Sequence, residues 1–142
     1  MKVEKIINEV TKQFFKNNLF SVMIGKKDGY VYVGDKMHVY RIVESDFILD
    51  VDKLIEEGAK SFDFSRFFEE RPKVYNKGII KRIKKINAVQ LVGMNFNVYI
   101  DEKYLKHFQE PTFQGSGPKE PVIVLENEVP VGLILPLNVK EV

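Results

Sequence analysis

Apolar and polar side chains alternate along residues 94–101. Met94, Phe96, Val98 and Ile100 are interleaved with Asn95, Asn97, Tyr99 and Asp101, the period of two expected of a strand with one buried face. Asp101 closes that strand and is suited to cap a helix over residues 102–109, because its carboxylate can accept from the free amides of a first turn. Ile100 and Leu105 then occupy the two positions of a hydrophobic staple. Pro111, Gly115, Gly117, Pro118 and Pro121 follow and predict a loop or an irregular edge strand. Two strongly apolar runs, residues 122–125 and 131–135, are separated by Glu126-Asn127-Glu128-Val129-Pro130 and predict a hairpin with a short polar loop.

A comparable order of elements opens the chain. Val3, Ile6, Ile7, Val10 and Phe14 recur at helical spacing with Lys5, Glu9, Lys12 and Lys16 opposite, which predicts an amphipathic helix over residues 2–16 that stops at Asn17-Asn18. Strands are expected at residues 19–24, 30–33 and 37–43, joined by turns at Lys26-Lys27-Asp28-Gly29 and Gly34-Asp35-Lys36. Helix followed by meander thus occurs twice, without residue identity between the copies.

The middle of the chain carries less periodicity. Asp52 is placed to cap a short helix over residues 53–57 that Gly58 ends. Asp63 or Ser65 is placed to cap another turn, beside the aromatic cluster of Phe62, Phe64, Phe67 and Phe68, whose composition is that of core. Residues 73–78 read as a short edge strand and turn. Ile80, Ile83 and Ile86 recur every three positions among Lys81, Arg82, Lys84 and Lys85, a spacing that suits either a helical turn or a twisted connector. Residues 88–92 read as a strand.

Composition bounds these elements to one α+β domain spanning residues 1–142, two short helices packed on antiparallel sheets. Cysteine is absent, which removes disulfides and thiolate metal sites. The first helix carries Glu4 and Glu9, unlike a signal peptide. No apolar run approaches the roughly 20 residues of a membrane span, so a cytoplasmic protein without membrane association is expected. The net charge of +2 does not by itself imply nucleic acid.

Candidate chemistry is sparse, and an enzyme is not expected. His38 and His107 have no partner at metal-ligand spacing, and His107 suits the C-terminal end of a short helix. Glu56-Glu57 and Glu69-Glu70 are adjacent pairs whose side chains diverge on a helix. Asp50 and Asp52 supply two oxygens and no third. Gly115-Ser116-Gly117 lacks the lysine and following helix of a phosphate-binding loop. No cofactor or metal is expected. The concentrated basic feature is Lys77, Lys81, Arg82, Lys84 and Lys85, which can neutralise several phosphates; the bland alternative is a solvated surface.

The run 96–105, then Pro121-Val122-Ile123-Val124, then Leu133-Ile134-Leu135-Pro136-Leu137 resembles the final domain of the bacterial DNA polymerase sliding clamp. That family has a strand, a short helix opening with Tyr-Leu, a Pro-led strand, and a closing hairpin that ends in an apolar-Met-Pro-Met-Arg tail. Here Leu135 and Leu137 stand for the methionines and Asn138 for the arginine. The resemblance implies two helices under two sheets related by a pseudo-twofold, and a tail groove of Leu135, Pro136 and Leu137 that accepts hydrophobic peptides. It further implies a non-catalytic, clamp-like protein that engages DNA or replication proteins; the single-domain architecture, separately, suggests an origin in a phage or mobile element. Such clamps close a ring from six domains, and this chain supplies one. The competing expectation is an α+β protein–protein interaction module with no connection to DNA.

Overall fold

A computed structural model describes residues 1–16 and 22–139. In chain order these contain α1 (Val3–Lys16), β1 (Met23–Lys27), β2 (Tyr30–Gly34), β3 (His38–Val43), α2 (Val51–Glu56), β4 (Lys60–Ser61), β5 (Lys73–Ile83), β6 (Ile86–Val92), β7 (Asn97–Asp101), β8 (Thr112–Gln114), β9 (Val122–Glu126) and β10 (Val129–Ile134). Single 3-10 turns occupy Glu44–Asp46, Ser65–Phe67 and Glu102–Leu105. The chain is α+β, as its periodicities predict.

The described strands form one sheet in the order β4-β1-β2-β3-β10-β9-β8-β5-β6-β7. Every pairing is antiparallel except the two-residue match of β4 to β1. Two meanders, β1-β2-β3 and β10-β9-β8, meet where β10 pairs with β3. The first is preceded by the 14-residue α1 and the second by the one-turn Glu102–Leu105.

Side-chain alternation divides the sheet into two apolar faces. One face contributes Ile24, Val31, Val33, Ile42, Val124, Leu91, Val98 and Ile100, which join Ile6, Ile7 and Val10 of α1 in a single buried cluster. Residues from nearly every strand share that cluster, so the sheet curls around the helix. The chain after β10 follows the curl. Leu135 N donates to Met37 O at 2.9 Å and Leu137 N to Tyr99 O at 2.8 Å, linking the start of β3 to the edge of β7. The opposite face contributes Tyr32, Val39, Ile123, Leu125 and Leu133, and the segment carrying Phe62, Phe64, Phe67 and Phe68 covers it. The aromatic cluster is therefore core, as its composition predicts.

Close backbone approach explains two glycines. A Cβ at Gly25 would collide with the carbonyl oxygen of Phe62 where β4 runs onto β1, and one at Gly132 would strike the ring of Phe108. Phe108 fills that notch beside Tyr40, with ring centroids 5.6 Å apart.

Several boundaries differ from the sequence expectation. The Glu102–Leu105 segment is a 3-10 turn rather than a helix to residue 109, although Asp101 caps it as expected, Oδ1 accepting from Lys103 N at 3.0 Å. The cap of α2 is Asp50, which accepts from Lys53 N at 3.2 Å, in place of Asp52. Met94 is exposed and Asn95 takes φ +68, so β7 begins later than the alternation suggests. The Pro/Gly-rich stretch contains β8, an interior strand between β9 and β5. Burial of Phe113 stabilises it there, and the buried Gln114 Oε1 accepts from Arg71 N at 3.0 Å. The Asp28-Gly29 and Asn127-Glu128 turns have positive φ at both residues, matching the right-handed twist of hairpin strands. The expected stop at Asn17-Asn18, the start of the strand at residues 19–21 and the side chain of Phe14 lie outside the described residues.

Candidate nucleic-acid interface

The basic segment forms neither a helical turn nor a connector. It forms the β5–β6 hairpin, with Lys81 opposite Ala88, Arg82 opposite Asn87 and Ile83 opposite Ile86 around a two-residue turn, Lys84-Lys85. Ile80, Ile83 and Ile86 are spaced by three because the chain reverses between them. Gly78, at φ +79, lies in a bulge between Asn76 and Ile80, and its amide donates to Asn76 Oδ1 at 3.0 Å.

Strand β5 has a half-open environment. Its neighbour β8 pairs only with Lys73 and Val74, so from Tyr75 onward one edge of β5 faces no strand among the described residues. Residues Tyr75 to Arg82 are all exposed. Lysines and a bulge on an unpaired edge discourage edge-to-edge pairing, and here they also concentrate charge. No Asp or Glu occurs between Glu70 and Asp101. Among the described residues, none of Lys77, Lys81, Arg82, Lys84 and Lys85 has a carboxylate within ion-pair distance. Arg82 Nη1 donates to Asn87 Oδ1 at 3.0 Å, and Lys81 Nζ lies 5.7 Å from the ring centre of Tyr99.

The tail residues do not line one groove. Leu135 borders an apolar hollow of about 160 Å³ with Met23, Met37, Phe64, Phe67 and Leu133. Leu137 borders a different hollow with Phe96, Tyr99 and Pro118. Pro136 is half-buried between them.

Folding also assembles a polar cluster that sequence spacing conceals. His38 Nδ1 lies 3.1 Å from Asp35 Oδ1, and the His38 ring stacks on Tyr104 at 4.3 Å. Tyr40 stands between the two histidines, its ring centre 5.3 Å from that of His38 and 6.1 Å from that of His107. Glu9 Oε1, from α1, lies 2.7 Å from Lys106 Nζ and 2.9 Å from His107 Nε2, the latter an ion-pair approach without hydrogen-bond alignment. Burial raises the Glu9 carboxyl, but Lys106 and His107 outweigh it and hold the group below its ordinary value. Burial likewise raises Asp35, but His38 and the Met37 and His38 amides outweigh it and lower the carboxyl. Burial, with Glu9, Asp35 and Tyr104 nearby, pushes the Tyr40 phenol above its ordinary value. Both carboxylates are thus engaged within the cluster, which ties α1 and the Glu102–Leu105 turn to β3. No local motif announces it, since Glu9, Asp35, His38, Tyr104 and His107 come from three separate segments.

Among the described residues no group of three or more His, Cys, Asp or Glu side chains is arranged to hold a metal ion, and no helix is long and apolar enough to cross a membrane. The chain matches no family profile, no curated protein and no solved structure with which it was compared.

Proposed function

We propose that the chain is a non-catalytic, clamp-like cytoplasmic protein that associates with DNA or replication proteins and engages the phosphate backbone through the β5–β6 hairpin. The observation that carries this reading is the hairpin's five cations, none with a carboxylate partner among the described residues. An exposed cation already held by a carboxylate gains less from a phosphate, and these five are not so held. Support for the clamp-like part comes from the two meanders that meet at β3–β10, each led by a helical segment on the same core. One continuous sheet and a single turn in place of a second helix depart from that family's pattern.

Backbone binding predicts affinity for duplex DNA that is independent of sequence and falls with salt, because each neutralised phosphate releases condensed counterion. With about 4 phosphate contacts the affinity drops roughly 10²-fold between 50 and 200 mM salt. Glutamine at Lys81, Arg82, Lys84 and Lys85 together flattens that dependence and leaves the fold intact, since exposed charges contribute little stability. A quadruple variant with the wild-type slope removes this role from the hairpin.

A second reading, a protein–protein interaction module without connection to DNA, draws on a specific feature of the same strand. Tyr75, Ile79 and Ile80 are about half exposed, at 57%, 50% and 53%, along the open edge of β5. An extended partner segment can add to such an edge through main-chain hydrogen bonds. A wild-type chain that binds no duplex at 50 mM salt leaves this as the leading reading.

A further inference from the structure

We propose that the open edge of β5 accepts an extended segment of a partner protein as an added strand, and that this segment carries apolar residues flanked by Asp or Glu. The inference rests on the interaction-module reading above and adds the chemistry of the partner. Its basis is the register of β5 together with the order of side chains along its edge.

Register decides which main-chain groups the edge offers. Ile83 and Ile86 close a two-residue turn, and a rung in that position exchanges both of its hydrogen bonds. Alternation along the ladder then directs the amide and carbonyl of Arg82 and of Ile80 away from β6. From the other end of the strand, Pro72 O accepts from Gly115 N at 2.9 Å, so Val74 and Asn76 face outward as well. Val74 is taken up by β8. Asn76, Ile80 and Arg82 meet no strand among the described residues. The Gly78 amide is already held by Asn76 Oδ1, so an added strand spans the bulge and pairs chiefly with Ile80 and Arg82. There is space at the near end: a hollow of about 210 Å³ lies where β5 and β8 part, lined by Val74, Tyr75, Asn76, Pro111 and Thr112.

Side chains set the identity of the occupant. Along the edge the order is Lys77, then exposed Ile79 and Ile80, then Arg82 and Lys84. Lys81 is not counted, because its Nζ is 5.7 Å from the ring centre of Tyr99 on β7, and Lys85 borders a hollow with residues 101–106. Arg82 gives one donor to Asn87 Oδ1 and keeps others for a carboxylate. A second copy of β5 brings only cations to this edge, and like charges across a rung are destabilising. Acidic residues on both sides of an apolar pair reverse the sign of that interaction and cover the two isoleucines. Duplex DNA can neutralise the cations but leaves Ile79, Ile80 and the outward main-chain groups uncovered. Added strands draw affinity from main-chain hydrogen bonds and specificity from their side chains.

The test selects a displayed library of random peptides, each about 10 residues long, on the full chain, and measures synthetic copies of the enriched sequences by fluorescence anisotropy. Enriched peptides should carry adjacent apolar residues flanked by Asp or Glu. Arg82→Glu should weaken their binding about 5-fold, and a peptide with its acidic residues replaced by lysine should bind this variant better than the wild type. N-methylation of alternate peptide amides should abolish binding in one phase and spare it in the other, because only one set faces β5. The added strand is overturned if both phases bind alike, if Arg82→Glu has no effect, or if the enriched peptides lack acidic residues; each of these leaves the interaction-module reading standing. Failure to enrich any peptide overturns both, and duplex binding by the same protein would then assign the surface to nucleic acid.

Discussion

Asp101 shows how one residue's chemistry survives a change in the element it serves. Alternation and capping preference locate it at the end of a strand and the start of a helix, and its Oδ1 does accept from Lys103 N at 3.0 Å. The element it caps is one 3-10 turn, and Phe108 beyond it fills the notch at Gly132. Asp101→Ala should still cost about 1 kcal/mol by freeing a first-turn amide. An unchanged midpoint in urea unfolding would mean that the cap does not hold the turn. Asp35 makes a second case, with a pH dependence. Its carboxyl is lowered in the folded chain, so its contribution to stability is fully present above the ordinary value near 3.8 and is lost as pH falls through the folded value. Asp35→Asn keeps the oxygen that accepts from the Met37 and His38 amides and removes the charge. The stability gap between wild type and variant should therefore narrow as pH falls from about 6 to about 2; a gap independent of pH would detach Asp35 from the acid limb.

Elements were legible where one face of a strand or helix is buried and the chain does not reverse within the window. The helix over residues 3–16, the meander from Tyr30 to Val43 and the hairpin of β9 with β10 meet that condition. Ile80, Ile83 and Ile86 do not: their spacing of three comes from a two-residue turn between strands, and an exposed strand supplies no buried alternation to correct the impression. Strand β8 was hidden for a different reason. Three residues between a proline and a glycine carry too little pattern, and pairing on both sides decides their conformation. The Glu9–His107 contact and the stacking of His38 on Tyr104 were illegible because they join α1, β3 and the residues 102–107, which no sequence spacing relates. Gly132 tests the packing between elements. Gly132→Ala places a methyl group against the Phe108 ring, and overpacking of this kind typically costs about 1–3 kcal/mol. Adding Phe108→Leu should recover part of the loss by reopening the notch, and a double variant no more stable than Gly132→Ala would show that the strain lies elsewhere.

Across the whole molecule the sheet divides into a middle covered on both faces and one flank that is partly open. Strands β3, β10 and β9 each have a hydrogen-bonded neighbour on both sides, and their side chains enter both apolar clusters. Strand β5 beyond Val74 has a partner on one side only, and its side chains from Tyr75 to Arg82 are exposed. Local opening draws on regions with few buried contacts and solvent-facing backbone, so stability should fall from the middle toward this flank. Amide hydrogen exchange should then show the slowest protons in β9, β10 and β3, and exchange faster by orders of magnitude at Lys77 to Arg82. Duplex DNA should slow exchange around the Lys84-Lys85 turn if the hairpin binds it, because a bound ligand stabilises the state it selects. Uniform protection along β5 and β9 in the free chain would contradict the open edge, and with it the freedom of the hairpin to reach a partner.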